Sequence, residues 1–169
     1  HSHVNIADFG MDTISLAGSL PAKLAAVRNA GFSQIMLSAR DVVGHADGID
    51  AAVRQVRDSG LRVTGFQVLR DFEGLSGHLH EYKMDIAKSM LEMARAVGAP
   101  VLLACSSAGQ HATQDLDALA RDLRKLAMLA VPLGLKVAYE GHRGAHRIRD
   151  HFAAWDAVCR ADKIGRAHV

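Results

Sequence analysis

The stretch from Gly98 to Glu140 decides the fold. It opens with Gly98-Ala99-Pro100-Val101-Leu102-Leu103-Ala104-Cys105 and closes with Gly134-Leu135-Lys136-Val137-Ala138-Tyr139-Glu140. Each end is a glycine followed by a short apolar run, which is how a helix stop and a buried strand look in sequence. Between them Leu116, Leu119, Leu123, Leu126, Ala130 and Leu133 recur at helical spacing, and Pro132 should distort the last turn. Strand, helix and strand in that order make one βα unit and the start of the next.

Working outward, the same unit repeats. Strands are expected over Thr13–Leu16, Gln34–Leu37, Leu61–Gln67, Val101–Cys105 and Lys136–Glu140. Gly31, Gly60, Gly98 and Gly134 precede the later strands at intervals of 29, 38 and 36 residues, room for strand, loop, helix and turn. Apolar stripes mark the helices between. The first has Leu20, Leu24 and Val27 behind Ser19 as N-cap and Pro21 in the first turn. The second has Ile49, Val53 and Val56, starting near Asp47 or Gly48. The third has Tyr82, Ile86, Met90, Met93 and Val97, and a fifth has Ile148, Phe152, Trp155 and Cys159. Single-sided stripes suit helices that coat a parallel sheet. Either a barrel or an open doubly wound sheet satisfies this pattern, although Leu16-Ala17-Gly18-Ser19-Leu20 lacks a dinucleotide-binding glycine loop.

Composition bounds the function classes. The chain has 169 residues, 49% apolar and 22% charged, ordinary values for a globular domain. A net charge of +2 gives no electrostatic footprint for nucleic acid or an anionic membrane, so neither is expected as a partner. No apolar run approaches the ~20 residues of a bilayer span. Cys105 and Cys159 are too few for a disulfide framework, and a cytoplasmic location is expected. Residues 1–12 are expected to be an N-terminal extension and 13–162 the folded domain. The final Ile164-Gly165-Arg166-Ala167-His168-Val169 has no strand pattern and matches a translated sequencing adapter, so 163–169 is expected to be a non-native tail.

Parallel βα folds gather functional groups at the C-terminal ends of their strands. Those positions hold Ser15, Ser38, Gln67 with Arg70, Cys105 with Ser106, and Glu140 with His142. Glu140 ends an apolar strand, where a carboxylate needs a cation or a partner such as Arg70 or Arg143. Gln67 offers an oxygen or an amide donor, and Arg70 a bidentate grip on a carboxylate or phosphate. Asp71 and Glu73 either anchor Arg70 or cap the loop. Cys105 reads as a buried thiol more readily than as a nucleophile. His78 and His80 have metal-like spacing but no adjoining cluster, while His142 and His146 flank Glu140 and are better placed.

The phrases Gln67-x-x-Arg70-Asp71-Phe72-Glu73-Gly74, Leu102-Leu103-Ala104-Cys105-Ser106-Ser107 and Ala138-Tyr139-Glu140-Gly141 resemble the xylose-isomerase-like barrels of the sugar phosphate isomerase/epimerase superfamily. Within it they are similar to the branch of bacterial 3-dehydroshikimate dehydratases, over roughly Thr13 to Asp162. The resemblance implies an α/β fold, a partial (β/α)₈ TIM barrel of about five βα units with parallel strands. It implies a metal-dependent lyase acting on a small-molecule substrate, with Mg, Mn or Co as the divalent metal. It makes Glu140 a metal carboxylate, Arg70 the clamp for the substrate carboxylate, and Gln67 and His142 substrate-binding residues. No catalytic base is assigned, because the resemblance places it on a sixth strand. Relatives usually follow the fifth-strand glutamate with tryptophan-glycine, where this chain has Gly141-His142. One metal carboxylate does not hold a hard cation tightly, so the 169-residue chain itself is expected to be inactive. The alternatives are a sugar phosphate or hydroxy-acid isomerase or epimerase, an apurinic endonuclease, and a noncatalytic half-barrel that self-associates through open edges.

Overall fold

The computed structural model describes residues 10–105 and 115–140. The expected fifth helix, the tail 163–169 and the residues before Gly10 lie outside them. The strands are β1 (Gly10–Asp12), β2 (Gln34–Ser38), β3 (Arg62–Arg70), β4 (Val101–Cys105) and β5 (Lys136–Glu140). The helices are α1 (Leu20–Asn29), α2 (Ala39–Val43), α3 (Ile49–Asp58), α4 (Gly77–Ala96) and α5 (Leu116–Ala130). The strands form one five-stranded sheet in the order β1-β2-β3-β4-β5. Sequential order excludes the doubly wound alternative, whose strand order reverses at a switch point.

The chain divides into two compact units. The first comprises the chain up to Gln67 together with Met93–Pro100. Here β1 runs parallel to β2 with Asp12 opposite Met36, and β2 runs parallel to β3 with Ser38 opposite Gln67. A register shift at Ile35/Met36 leaves Thr64 as the extra residue of a bulge, and its hydroxyl donates to the Ile35 carbonyl at 3.1 Å. Ile35, Leu37, Val63 and Phe66 are buried, and Leu20, Leu24 and Val27 of α1 join the core as their spacing requires. Ser19 caps α1 through the Ala22 N–H, with proline in the first turn. Lys23 and Asp41 link α1 to α2 by a 2.8 Å ion pair.

The second unit comprises Val68–Glu92 and the chain from Val101 onward. In it β4 and β5 pair in parallel from Val101↔Lys136 to Cys105↔Glu140. Leu123, with Ala127 and Tyr139 packed against it, is part of its core. Pro132 does end α5 early: Val131–Leu133 is a 3₁₀ turn, closed by Gly134 in the left-handed region at φ 71°.

Several expectations are corrected. The first strand is Gly10–Asp12, not Thr13–Leu16, because the Asp12 side chain accepts the Ile14 N–H and winds Thr13–Ser15 into a 3₁₀ turn. β3 continues to Arg70, so Arg70 belongs to a strand and not to the loop behind it. α2 is an additional short helix, started by Ser38, whose hydroxyl accepts the Arg40 N–H. The buried faces also differ: Ala52 with Val56 in α3, and Ala87, Met90, Leu91, Ala94 and Val97 on the segment of α4 and its end. Ile49 and Tyr82 are exposed, and Ala52, Ala87 and Ala94 are buried on those helices. No helix among the described residues is long and apolar enough to cross a membrane.

Candidate functional site

Ser38 ends β2, Arg70 ends β3 with Gln67 three residues before it, Cys105 ends β4 and Glu140 ends β5, and Asp12 ends β1. In the first unit the strand ends are tied to one another. Thr13, fully buried, accepts the Ser38 backbone N–H on its hydroxyl at 2.9 Å. Asp12 accepts the Gln67 side-chain amide at 2.7 Å and, on the same oxygen, the Ile14 N–H at 2.8 Å. Ser38 is a helix cap, and Ser15 is exposed within the 3₁₀ turn. Beside these strand ends, the segments that follow β1 and β2 enclose an open cleft of about 370 Å³, with Ser19, Arg40, His45 and Asp47 in its wall. His45 accepts the Asp47 N–H on Nδ1, so its Nε2–H donates to Gln55 Oε1 at 2.9 Å.

In the second unit the loop after β3 is an anchor. Asp71 takes a positive φ of 58°, an uncommon conformation outside glycine. Phe72 and Glu73 are buried behind it. The Gly74 N–H donates to Asp122 Oδ2 on α5 at 2.8 Å, and the Tyr139 hydroxyl on β5 donates to Glu73 Oε1 at 2.8 Å. The Lys83 ammonium donates to the Arg70 carbonyl at 2.8 Å, pinning the backbone from which the Arg70 side chain leaves. Arg70 itself is exposed. Ion pairs among the described residues join Lys23 with Asp41 and His78 with Glu81, and Arg70 is in neither. Glu73 is tied to β5 through the Tyr139 hydroxyl.

Of the other candidates, Cys105 is a buried thiol, as expected. His78 is fully exposed and 3.9 Å from Glu81, while His80 packs its ring against Phe72 with centroids 6.4 Å apart. Their spacing therefore does not build a metal centre. Among the described residues no group of three or more His, Cys, Asp or Glu side chains could hold a metal ion. Glu140 closes β5, but its side chain, together with Arg143, His142, His146 and Ser106, lies outside the described residues.

Sequence reasoning missed Asp12, Asp122 and Tyr139. Asp12 ends a strand, as Glu140 does, and was hidden by the misplaced first strand. Asp122 had a visible signal: a carboxylate beside Leu123, inside the apolar stripe of α5, needs a buried donor.

Sequential parallel βα units with polar groups at their C-terminal strand ends define a TIM-barrel type of enzyme scaffold. The model of the xylose isomerase-like TIM barrel family matches residues 24–169, and the chain belongs to that family. A 3-dehydroshikimate dehydratase from Pseudomonas aeruginosa is 35% identical over 152 residues, covering 89% of this chain and 24% of the relative. The chain thus spans about a quarter of that relative's length. A solved xylose isomerase-like TIM barrel/4-hydroxyphenylpyruvate dioxygenase fusion protein superimposes with a TM-score of 0.79 at 30% identity, covering 90% of this chain and 25% of that one. The IOLI protein, solved with a zinc atom, shares the fold at a TM-score of 0.65 and 15% identity, covering 78% and 50%.

Proposed function

We propose that this chain carries part of the substrate site of a divalent-metal-dependent 3-dehydroshikimate dehydratase, a lyase that converts dehydroshikimate to protocatechuate. The observation that carries the proposal is Arg70: an exposed guanidinium on a pinned strand end, in a chain 35% identical to such a dehydratase. The reaction removes a ring proton beside the carbonyl and then water, and the ring becomes aromatic. The substrate's carboxylate needs a cation that cannot lose its charge, and a guanidinium meets it with paired N–H donors. Arg70 is that clamp, and Gln67 and His142 are polar contacts of the same substrate.

Glu140 is the metal carboxylate of this reading, in keeping with zinc in the structure of the IOLI protein. A bound divalent ion would supply Lewis acidity at the substrate carbonyl. The described residues do not complete a ligand set, so no step is derived through the metal. The work done by this chain is binding and orientation.

The test uses the complete gene product that contains this sequence. With Mg²⁺ or Mn²⁺ it should turn dehydroshikimate into protocatechuate, read by aromatic ultraviolet absorbance. Arg70→Ala should lower kcat/KM by about 10- to 100-fold, the range for losing hydrogen bonds to a charged group. Glu140→Gln should weaken metal binding and turnover together. A wild type that forms no aromatic product overturns the reading.

A further inference from the structure

Gln67 can meet a ligand in either of two ways, because its amide has an accepting oxygen and a donating nitrogen. The structure decides between them. Gln67 Nε2 lies 2.7 Å from Asp12 Oδ1. A carboxylate oxygen accepts and does not donate, so the amide must turn one N–H of its NH₂ to Asp12, which fixes Oε1 as an acceptor on the side away from that carboxylate. The bond passes from β1 to β3 across β2, which lies between them in the sheet. Asp12 is itself fixed: the same oxygen takes the Ile14 N–H at 2.8 Å and closes the 3₁₀ turn. Gln67 is 7% exposed, so an amide flipped the wrong way would set two oxygens against each other out of bulk water.

We propose that Asp12 is a positioning residue that locks Gln67 as a hydrogen-bond acceptor, so that this part of the site selects a ligand hydroxyl. An analogue that places a carbonyl or ether oxygen against Oε1, where a hydroxyl would donate, meets it lone pair against lone pair and binds less well. This inference rests on Gln67 contacting substrate, as in the reading above, and adds the residue that sets its direction.

Asp12 also caps a turn, and two substitutions separate the roles. Asp12→Asn keeps an accepting oxygen of the same reach and should preserve both. Asp12→Ser can still accept the Ile14 N–H, as short hydroxyls do in such turns, but is too short to reach Gln67. In the complete gene product with dehydroshikimate, Asp12→Ser should lower kcat/KM about 10-fold and Asp12→Asn less than 3-fold. The decisive measurement is a double-mutant cycle with Gln67→Met. If Asp12 acts through Gln67, Asp12→Ser costs nothing further once Gln67 is methionine. Additive losses in an active enzyme overturn the proposal. The same cycle read as melting midpoints tests the bond without substrate: coupled shifts support the lock, and independent shifts overturn it. A folded wild type that yields no protocatechuate overturns the dehydratase reading, while the melting cycle still decides the orientation of Gln67.

Discussion

The end of β3 belongs to two regions that spend their polar groups in opposite ways. Up to Gln67, the polar side chains Asp12, Thr13 and Gln67 bond across neighbouring strand ends and leave an amide oxygen in reserve. Beyond it, Gly74 and Glu73 bond inward to Asp122 and Tyr139, while the Arg70 side chain is exposed. A phrase that looks like one motif is therefore two devices. Its first half points chemistry outward from a braced sheet. Its second half is mostly a foundation, and Phe72, Glu73 and Gly74 serve the placement of Arg70's backbone rather than the substrate.

That division is broken most severely at the foundation. Phe72 is fully buried, so Phe72→Ala removes an aromatic ring from a packed site. The expected cost is about 3–5 kcal/mol, measured by denaturant unfolding of the complete gene product. A cost below ~1 kcal/mol would show that the loop packs loosely and that its polar bonds do not anchor it.

The next effect is smaller. Asp122→Ala strips the Gly74 N–H of its acceptor inside the fold, and a buried unsatisfied donor costs about 1–3 kcal/mol. Asp122→Asn, which keeps an accepting oxygen, should recover most of that loss. Equal losses for both variants would mean that charge, not the Gly74 bond, is what α5 contributes.

The two regions also differ in how readily they can be read from sequence. Repetition was legible because it is local: an apolar run and a terminating glycine lie within one window, and Gly31, Gly60, Gly98 and Gly134 all take positive φ. The strands β4 and β5 fall where their apolar runs place them. The first strand was not legible, since Thr13-Ile14-Ser15-Leu16 alternates like a strand while its conformation is set by one side-chain bond from Asp12. α2 has five residues, too few to show a helical period. Strand ends pointed to Gln67 and Arg70, yet their surroundings are non-local. Gln67 meets Asp12 55 residues away, and Glu73 meets Tyr139 66 residues away. No window of sequence contains either pair.

The smallest expected effect is the most discriminating. If Arg70 is the tool and the residues behind it the foundation, Arg70→Ala should leave unfolding free energy within about 0.5 kcal/mol of wild type, as for a surface position. Its guanidinium is exposed, the Lys83 bond goes to its backbone carbonyl, and truncating the side chain removes neither. Catalytic efficiency on a carboxylate-bearing substrate should nonetheless fall, with KM carrying most of the change, because a clamp that grips ground state and transition state alike acts on binding. Arg70→Lys restores the charge but not the paired donors, so it should recover only part of the loss. A variant that loses stability and activity together would place Arg70 in the foundation. One that loses neither would leave the end of β3 with no clamp at all.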